Sequence, residues 1–349
     1  MKLLLTLLLA LSIAACSVAL PLPVQTQNGA SGTSSPTSTA LPWAGLGLTG
    51  KLILILQNAT GFAVTSMDLK SGAIAKLYQA QSGALVSSAL VSPDGGQILL
   101  TYAPPAVASN QSSYTTLYLM PSDGSKSPQP LFQTLSDIDA YFAPTWAPDG
   151  SSIYTSHFHQ GSDPSGAADT YSIDQVSLDG RGQPIIQSGQ WPRLSPDGKH
   201  LSYVTVSPNN TQNDLYQYDL QSKVSTPVIK PGSFQAVDDH FYTPDGNSII
   251  FSAVDPPHAS APSWIDRLFG VTVVSAHNIP SDWYVAPSSG GSATQLTNLG
   301  DTGMYGSLSP DHQWIAFISS TGIYVMKLDG SNLTQLATLV ANGTVDWVQ

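Results

Sequence analysis

From Gly50 onward the apolar residues of this chain fall in short runs, many alternating with polar ones, and each run ends at Pro, Gly, Asp or Ser. Short apolar or alternating runs bounded by turn residues predict β-strands rather than helices. One unit recurs five times: "LVSPDGGQILLTY" from Leu90, "TWAPDGSSIYTSH" from Thr145, "RLSPDGKHLSYVT" from Arg193, "FYTPDGNSIIFSA" from Phe241 and "SLSPDHQWIAFIS" from Ser307. Each reads as strand, Pro-Asp-Gly turn, strand. Proline presets φ, aspartate bonds the backbone two residues on, and glycine accepts positive φ. Asp94, Asp149, Asp197, Asp245 and Asp311 are therefore read as turn formers. In the fifth copy His312 replaces the glycine, so that turn needs another type or a left-handed histidine.

A second pair of strands follows each hairpin, in copies beginning at Phe62, Thr115, Tyr171, Asp214, Asp282 and Gly322. The count is six outer pairs against five inner hairpins. The missing hairpin is split between the chain's ends, with "TVDWVQ" (Thr344 to Gln349) as the strand before a turn and "GKLILIL" (Gly50 to Leu56) as the strand after one. Four strands repeating at a spacing of roughly fifty residues are the mark of a propeller blade, which cannot bury its faces without neighbours. The expected fold is all-β: a six-bladed β-propeller over 50–349 with four-stranded antiparallel blades, the last closed by N- and C-terminal strands. Such closure removes the free sheet edge of an open array.

The "SPDG" hairpins and units such as "IYVMKLDGSNLTQL" resemble the WD40-like Pro-Asp repeats of TolB-type propellers, over residues 50 to 349. The resemblance implies fold more than function, because such repeats occur in periplasmic adaptors, in the propellers attached to prolyl peptidases and in uncharacterised lipoproteins.

Composition adds a location and removes some chemistry. The chain begins "MKLLLTLLLALSIAAC", one lysine and an apolar run too short to span a bilayer, ending in small residues before Cys16, the only cysteine. "IAAC" resembles a bacterial lipobox, which implies a signal peptide over 1–16 and a lipid on Cys16; the alternative is an ordinary signal cut a few residues later. No disulfide is available. Residues 17–49 are uncharged and dense in Ser, Thr, Pro and Gly, and are read as a flexible tether. The protein is thus expected beyond the cytoplasmic membrane of a bacterium, lipid-anchored at the cell envelope. All 23 acidic residues are aspartates, so no glutamate is available as acid, base or ligand. Only 12 Lys and Arg oppose them, without a basic run, which leaves nucleic acid as a partner without an electrostatic basis.

Prolyl-peptidase-type hydrolases pair such a propeller with an α/β domain carrying a G-x-S-x-G elbow, and this chain has neither the elbow nor the spare length. The P-loop and H-E-x-x-H patterns are absent. No G-x-G-x-x-G pattern and no cofactor are expected. The loops leading into the innermost strands and those after the hairpins should emerge together around the central channel. They carry Asp137, Asp139, Tyr141, His157, His159, Trp191, Asp238, Asp239, His240, Asp301 and Tyr305. This acidic and aromatic rim suits a protein or peptide of the cell envelope, bound without catalysis by a monomeric ring. The alternatives are a metal-dependent hydrolase, with His157 and His159 joined by Asp238 and His240, and a carbohydrate-binding propeller using Trp191 and the tyrosines. One segment, 254–282, breaks the repeat; within it Ser263 to Val271 reads as a short helix that packs on the propeller or docks a partner.

Overall fold

The structure, a computed structural model, describes residues 41–105, 114–132, 138–161, 169–205, 213–255 and 279–349. Cys16, the tether up to residue 40, Asp137 and the helix expected at 263–271 lie outside the described residues. Six four-stranded antiparallel sheets make up the fold, as the repeat predicts. The first blade holds β1 (Lys51–Asn58), β2 (Gly61–Asp68) and β3 (Ile74–Gln79). The second comprises β4 (Leu85–Val91), β5 (Gln97–Ala103), β6 (Thr116–Pro121) and β7 (Gln129–Pro130). The third comprises β8 (Asp139–Trp146), β9 (Ser152–His159), β10 (Thr170–Ser177) and β11 (Gly182–Gln187). The fourth has β12 (Gly189–Leu194), β13 (His200–Thr205), β14 (Leu215–Asp219) and β15 (Ser225–Pro227). The fifth has β16 (Ala236–Tyr242), β17 (Ser248–Val254), β18 (Asp282–Pro287) and β19 (Thr294–Gln295). The sixth has β20 (Tyr305–Leu308), β21 (Trp314–Ser319), β22 (Gly322–Lys327) and β23 (Thr334–Ala337), and β24 (Asp346–Val348) completes the first blade from the other end of the chain.

That clasp pairs Lys51 with Val348, Leu52 with Trp347 and Ile53 with Asp346. Trp347 is buried, and its indole N–H donates to Thr49 O at 2.9 Å. Gly50 makes the approach possible: with φ +84°, a side chain there would meet Val348 O at 2.2 Å. The expectation that the chain lacks a G-x-G-x-x-G pattern is wrong at the level of spacing, because "GLGLTG" at 45–50 has it. This stretch leads through a single 3-10 turn into β1 instead of joining a strand to a helix, so the helix N-terminus of a dinucleotide-binding fingerprint is missing.

The Pro-Asp-Gly turns form as their chemistry dictates. Asp94 Oδ1 accepts from Ser92 Oγ at 2.6 Å and from Gly96 N at 3.0 Å, and Asp197, Asp245 and Asp311 repeat the arrangement. In the fifth turn His312 adopts the left-handed conformation itself, at φ +60°.

The core is a set of wedges between blades. Successive residues of a strand point to opposite faces, and here both faces are covered, which is why "LILIL" is apolar throughout. Leu52 and Leu54 pack with Trp314 and Ile318 of the sixth blade, whereas Ile53 and Ile55 pack with Val86 and Tyr102 of the second. Equivalent clusters fill the other four gaps. The innermost strands β24, β4, β8, β12, β16 and β20 neighbour one another in that order around a closed ring.

Candidate functional site

Five innermost strands precede a Pro-Asp-Gly turn and β24 pairs antiparallel with β1 as the strand before such a turn would, so all six run the same way along the channel, towards the face of the turns. Four of them, β4, β8, β12 and β16, carry a one-residue bulge at the same depth. A bulge leaves an extra residue out of the ladder and re-aims side chains. Here the bulged stretches place Ala143, Trp191 and Asp239 on the channel wall, with Ala143 and Trp191 at φ +45° and +55°.

Between its two faces the channel narrows at a buried ion pair. Arg193 Nη2 donates to Asp239 Oδ1 at 2.8 Å, and Gly306 N donates to Asp239 Oδ2 at 2.7 Å. Arg193 Nη1 also donates to Pro192 O at 3.2 Å and to Pro144 O at 3.5 Å. One guanidinium and one carboxylate therefore tie the third, fourth, fifth and sixth blades together. Asp346 closes the ring, accepting from Val91 N of the second blade at 2.7 Å. Burial pushes its pKa up to about 6 against hydrogen bonds that lower it.

Arg193, Asp239, Tyr305 and Thr344 border two cavities, one on each side of this waist. Towards the turn face lies a cavity of about 360 Å³. Towards the other face lies one of about 280 Å³, walled by Ser87, Ser88, Phe142, Ala143 and Trp191. Tyr305 has its hydroxyl pKa pushed far up, first by burial and then by the Asp238 and Asp239 charges.

The expected rim thus separates into four groups. Trp191, Asp239 and Tyr305 line the channel. Asp238 and His240 were expected on the rim but are buried in β16, 1% and 0% exposed. Burial, then the neighbouring Asp239 charge, raises the Asp238 carboxyl well above its ordinary range, while burial, then the Arg193 charge, brings His240 down to about 4. Asp301 is absorbed by the β21–β22 turn, accepting from Thr321 Oγ1 at 2.5 Å, from Thr302 N at 2.8 Å and from Ser320 Oγ.

The fourth group sits at one end of the third blade. Asp139 on β8 faces both histidines of β9, at 3.0 Å from His157 Nε2 and 2.5 Å from His159 Nδ1. His157 Nδ1 donates to Asp174 on β10 at 2.8 Å, and Ser172 Oγ donates to Asp174 at 2.6 Å. The His157 ring lies flat on Tyr141, centroids 4.3 Å apart. Burial opposes charge on His157, but hydrogen bonds to Asp174 and Asp139 outweigh it and raise its pKa. Burial and the same two carboxylates push the Tyr141 hydroxyl up to about 12. A carboxylate on each ring nitrogen favours the doubly protonated imidazole, and a metal ion at Nε2 would take the place of one of those protons. The histidine pair sits with Asp139, not with Asp238 and His240 as the metal alternative required. Asp139, His157 and His159 are the one such metal-capable cluster among the described residues.

Sequence reasoning missed Arg193, Asp174 and Asp346. Arg193 and Asp346 stand inside repeat units, and Asp174 in an alternating strand, where nothing local separates them from surface polar residues.

No protein-family model matches the chain, and no curated protein matches it in sequence. Solved structures do resemble it in fold. TolB from Acinetobacter baumannii is 16% identical with a TM-score of 0.59, over 85% of this chain and 66% of that one. The TolB-type protein of Agrobacterium tumefaciens is 18% identical with a TM-score of 0.56, over 85% of this chain and 92% of that one. A puromycin hydrolase complexed with PGG is 16% identical with a TM-score of 0.56, but this chain spans only 48% of it. At these identities the likeness is one of fold: the chain is a six-bladed β-propeller whose fold is similar to that of TolB.

Proposed function

We propose that this TolB-type propeller is a non-catalytic binding module for a protein or peptide of the bacterial cell envelope, held there by a lipid on Cys16. The observation that carries the reading is the cavity on the face opposite the Pro-Asp-Gly turns. Its volume of about 280 Å³ lies at the lower edge of small-molecule pockets, which run from roughly 300 to 1,000 Å³. Phe142, Ala143 and Trp191 give it apolar walls, and the Arg193–Asp239 pair lies at its inner end. A cavity of that size accepts one or two side chains, or a chain end, from a larger partner docked on the rim. Tyr141, stacked between Phe132 and His157, and Trp191 supply rigid aromatic surface of the kind that anchors interfaces. The fold resemblance to TolB points the same way, while that to puromycin hydrolase makes an enzymatic role the reading to test against.

The test is site-specific photo-crosslinking in intact cells, with the photoreactive residue at Trp191 or, as the control on the turn face, at Asp245. One protein adduct at position 191 that is absent at 245 is the expected result. Identical patterns at both positions, or none at 191, would refute the assignment of the face. Fractionation of a Cys16→Ser variant tests the anchor: it should move from the membrane to the soluble extracytoplasmic fraction, and retention in the membrane would refute lipidation.

A further inference from the structure

We propose that Asp139, His157 and His159 form a zinc site with one coordination position open to solvent, and that Asp174 orients His157 from behind. The site is independent of the partner reading above and stands on its own geometry. Three ligand atoms, Asp139 Oδ1, His157 Nε2 and His159 Nδ1, lie within 4.8 Å of one another. Zinc bound tetrahedrally at about 2.0–2.2 Å holds its ligand atoms roughly 3.3 Å apart. The two distances from Asp139, 3.0 Å and 2.5 Å, are shorter than that value, so admitting the ion requires the side chains to spread by roughly 0.3 Å at His157 and 0.8 Å at His159.

The arrangement is built into rigid elements. Asp139 and His159 are directly paired across β8 and β9, and His157, two residues from His159, points to the same face and pairs with Tyr141. Strand-borne ligands are held more closely than loop-borne ones. A zinc-ligating histidine commonly donates its other ring N–H to a carboxylate, which fixes the tautomer and the ring orientation. Asp174 is that carboxylate: it is 4% exposed, accepts from His157 Nδ1, and is itself fixed by Ser172. The Tyr141 ring stacked on His157 fixes the remaining rotation.

The donor set favours a transition metal such as zinc over the hard cations. Two imidazoles and one carboxylate suit zinc, whereas calcium takes six to eight oxygens and magnesium keeps several waters. Side-chain exposures of 19%, 23% and 47% for His157, Asp139 and His159 leave a path for the ion and one position for water or an incoming ligand. Three protein ligands with an exchangeable fourth differ from the closed four-ligand structural site.

The experiment uses the untagged full chain in detergent, stripped with chelator and dialysed against micromolar Zn²⁺, with metal counted by mass spectrometry. One zinc per chain is expected in the wild type. His159→Gln, which alters the most exposed ligand, should lose it while melting as the metal-free wild type does. Asp174→Asn should weaken binding by about 10- to 100-fold, the size found for groups behind a ligand. Loading with Co²⁺ provides a second readout, because tetrahedral coordination gives visible ligand-field bands that His159→Gln should abolish. Absence of zinc in the wild type, equal zinc in His159→Gln, or Ca²⁺ bound in preference to Zn²⁺ would each overturn the assignment.

Discussion

Replacing Arg193 with methionine tests whether the Arg193–Asp239 pair staples the channel waist. The substitution keeps the aliphatic stem and removes the charge, so Asp239, 3% exposed, retains Gly306 N but loses the guanidinium 2.8 Å away. Removing one partner of a buried ion pair costs about 3–5 kcal/mol, because the other charge is stranded away from water. Urea unfolding of the wild type, Arg193→Met, Asp239→Asn and the double variant completes the cycle. The double variant should be less destabilised than the sum of the single changes by at least about 1.5 kcal/mol. A cost for Arg193→Met below about 1 kcal/mol would mean that water screens the pair as at an exposed site.

Two further perturbations probe the ring. Asp346→Asn removes a partly buried carboxyl held at about 6 in the folded chain against an ordinary value of 3.8, so wild-type stability should fall by up to about 3 kcal/mol as pH rises through that window; the variant should lack this fall, and parallel melting-temperature profiles for the two proteins between pH 4 and pH 7 would refute the account. Gly50→Ala places a Cβ 2.2 Å from Val348 O at a φ of +84°, and should cost about 2 kcal/mol or more through left-handed strain and displacement of β24; unchanged hydrogen-exchange protection in the β24 amides would refute the clasp's dependence on Gly50.

How far the sequence carried the fold can be seen in the turns. Ser92, Pro93, Asp94 and Gly95 specify their hairpin through contacts no more than five residues apart, and five copies with a sixth split between the chain's ends fix the blade count. The clasp was legible for the same reason, since "TVDWVQ" and "GKLILIL" each match half of a unit whose other half is missing. His312 shows the remaining freedom: the turn tolerated a left-handed histidine where glycine was the rule.

The sequence by itself therefore determined the architecture, because period-two burial and turn chemistry act between near neighbours and the repeat states them many times over. It did not determine which of 23 aspartates do something other than make turns. That was decided by two features of the tertiary structure. Bulges in four innermost strands shift register by one residue, which changes the side chains offered to the channel, and β16 thereby turns Asp239 towards Arg193 while Asp238 and His240 stay buried. Closure of the ring and stacking of strands then join residues far apart in the chain: Arg193 to Asp239, Val91 to Asp346, and Asp139 to His157, which is held in turn by Asp174. A carboxylate's partner, and with it the role of the carboxylate, is a property of the folded ring, where groups separated by tens of residues come within about 3 Å.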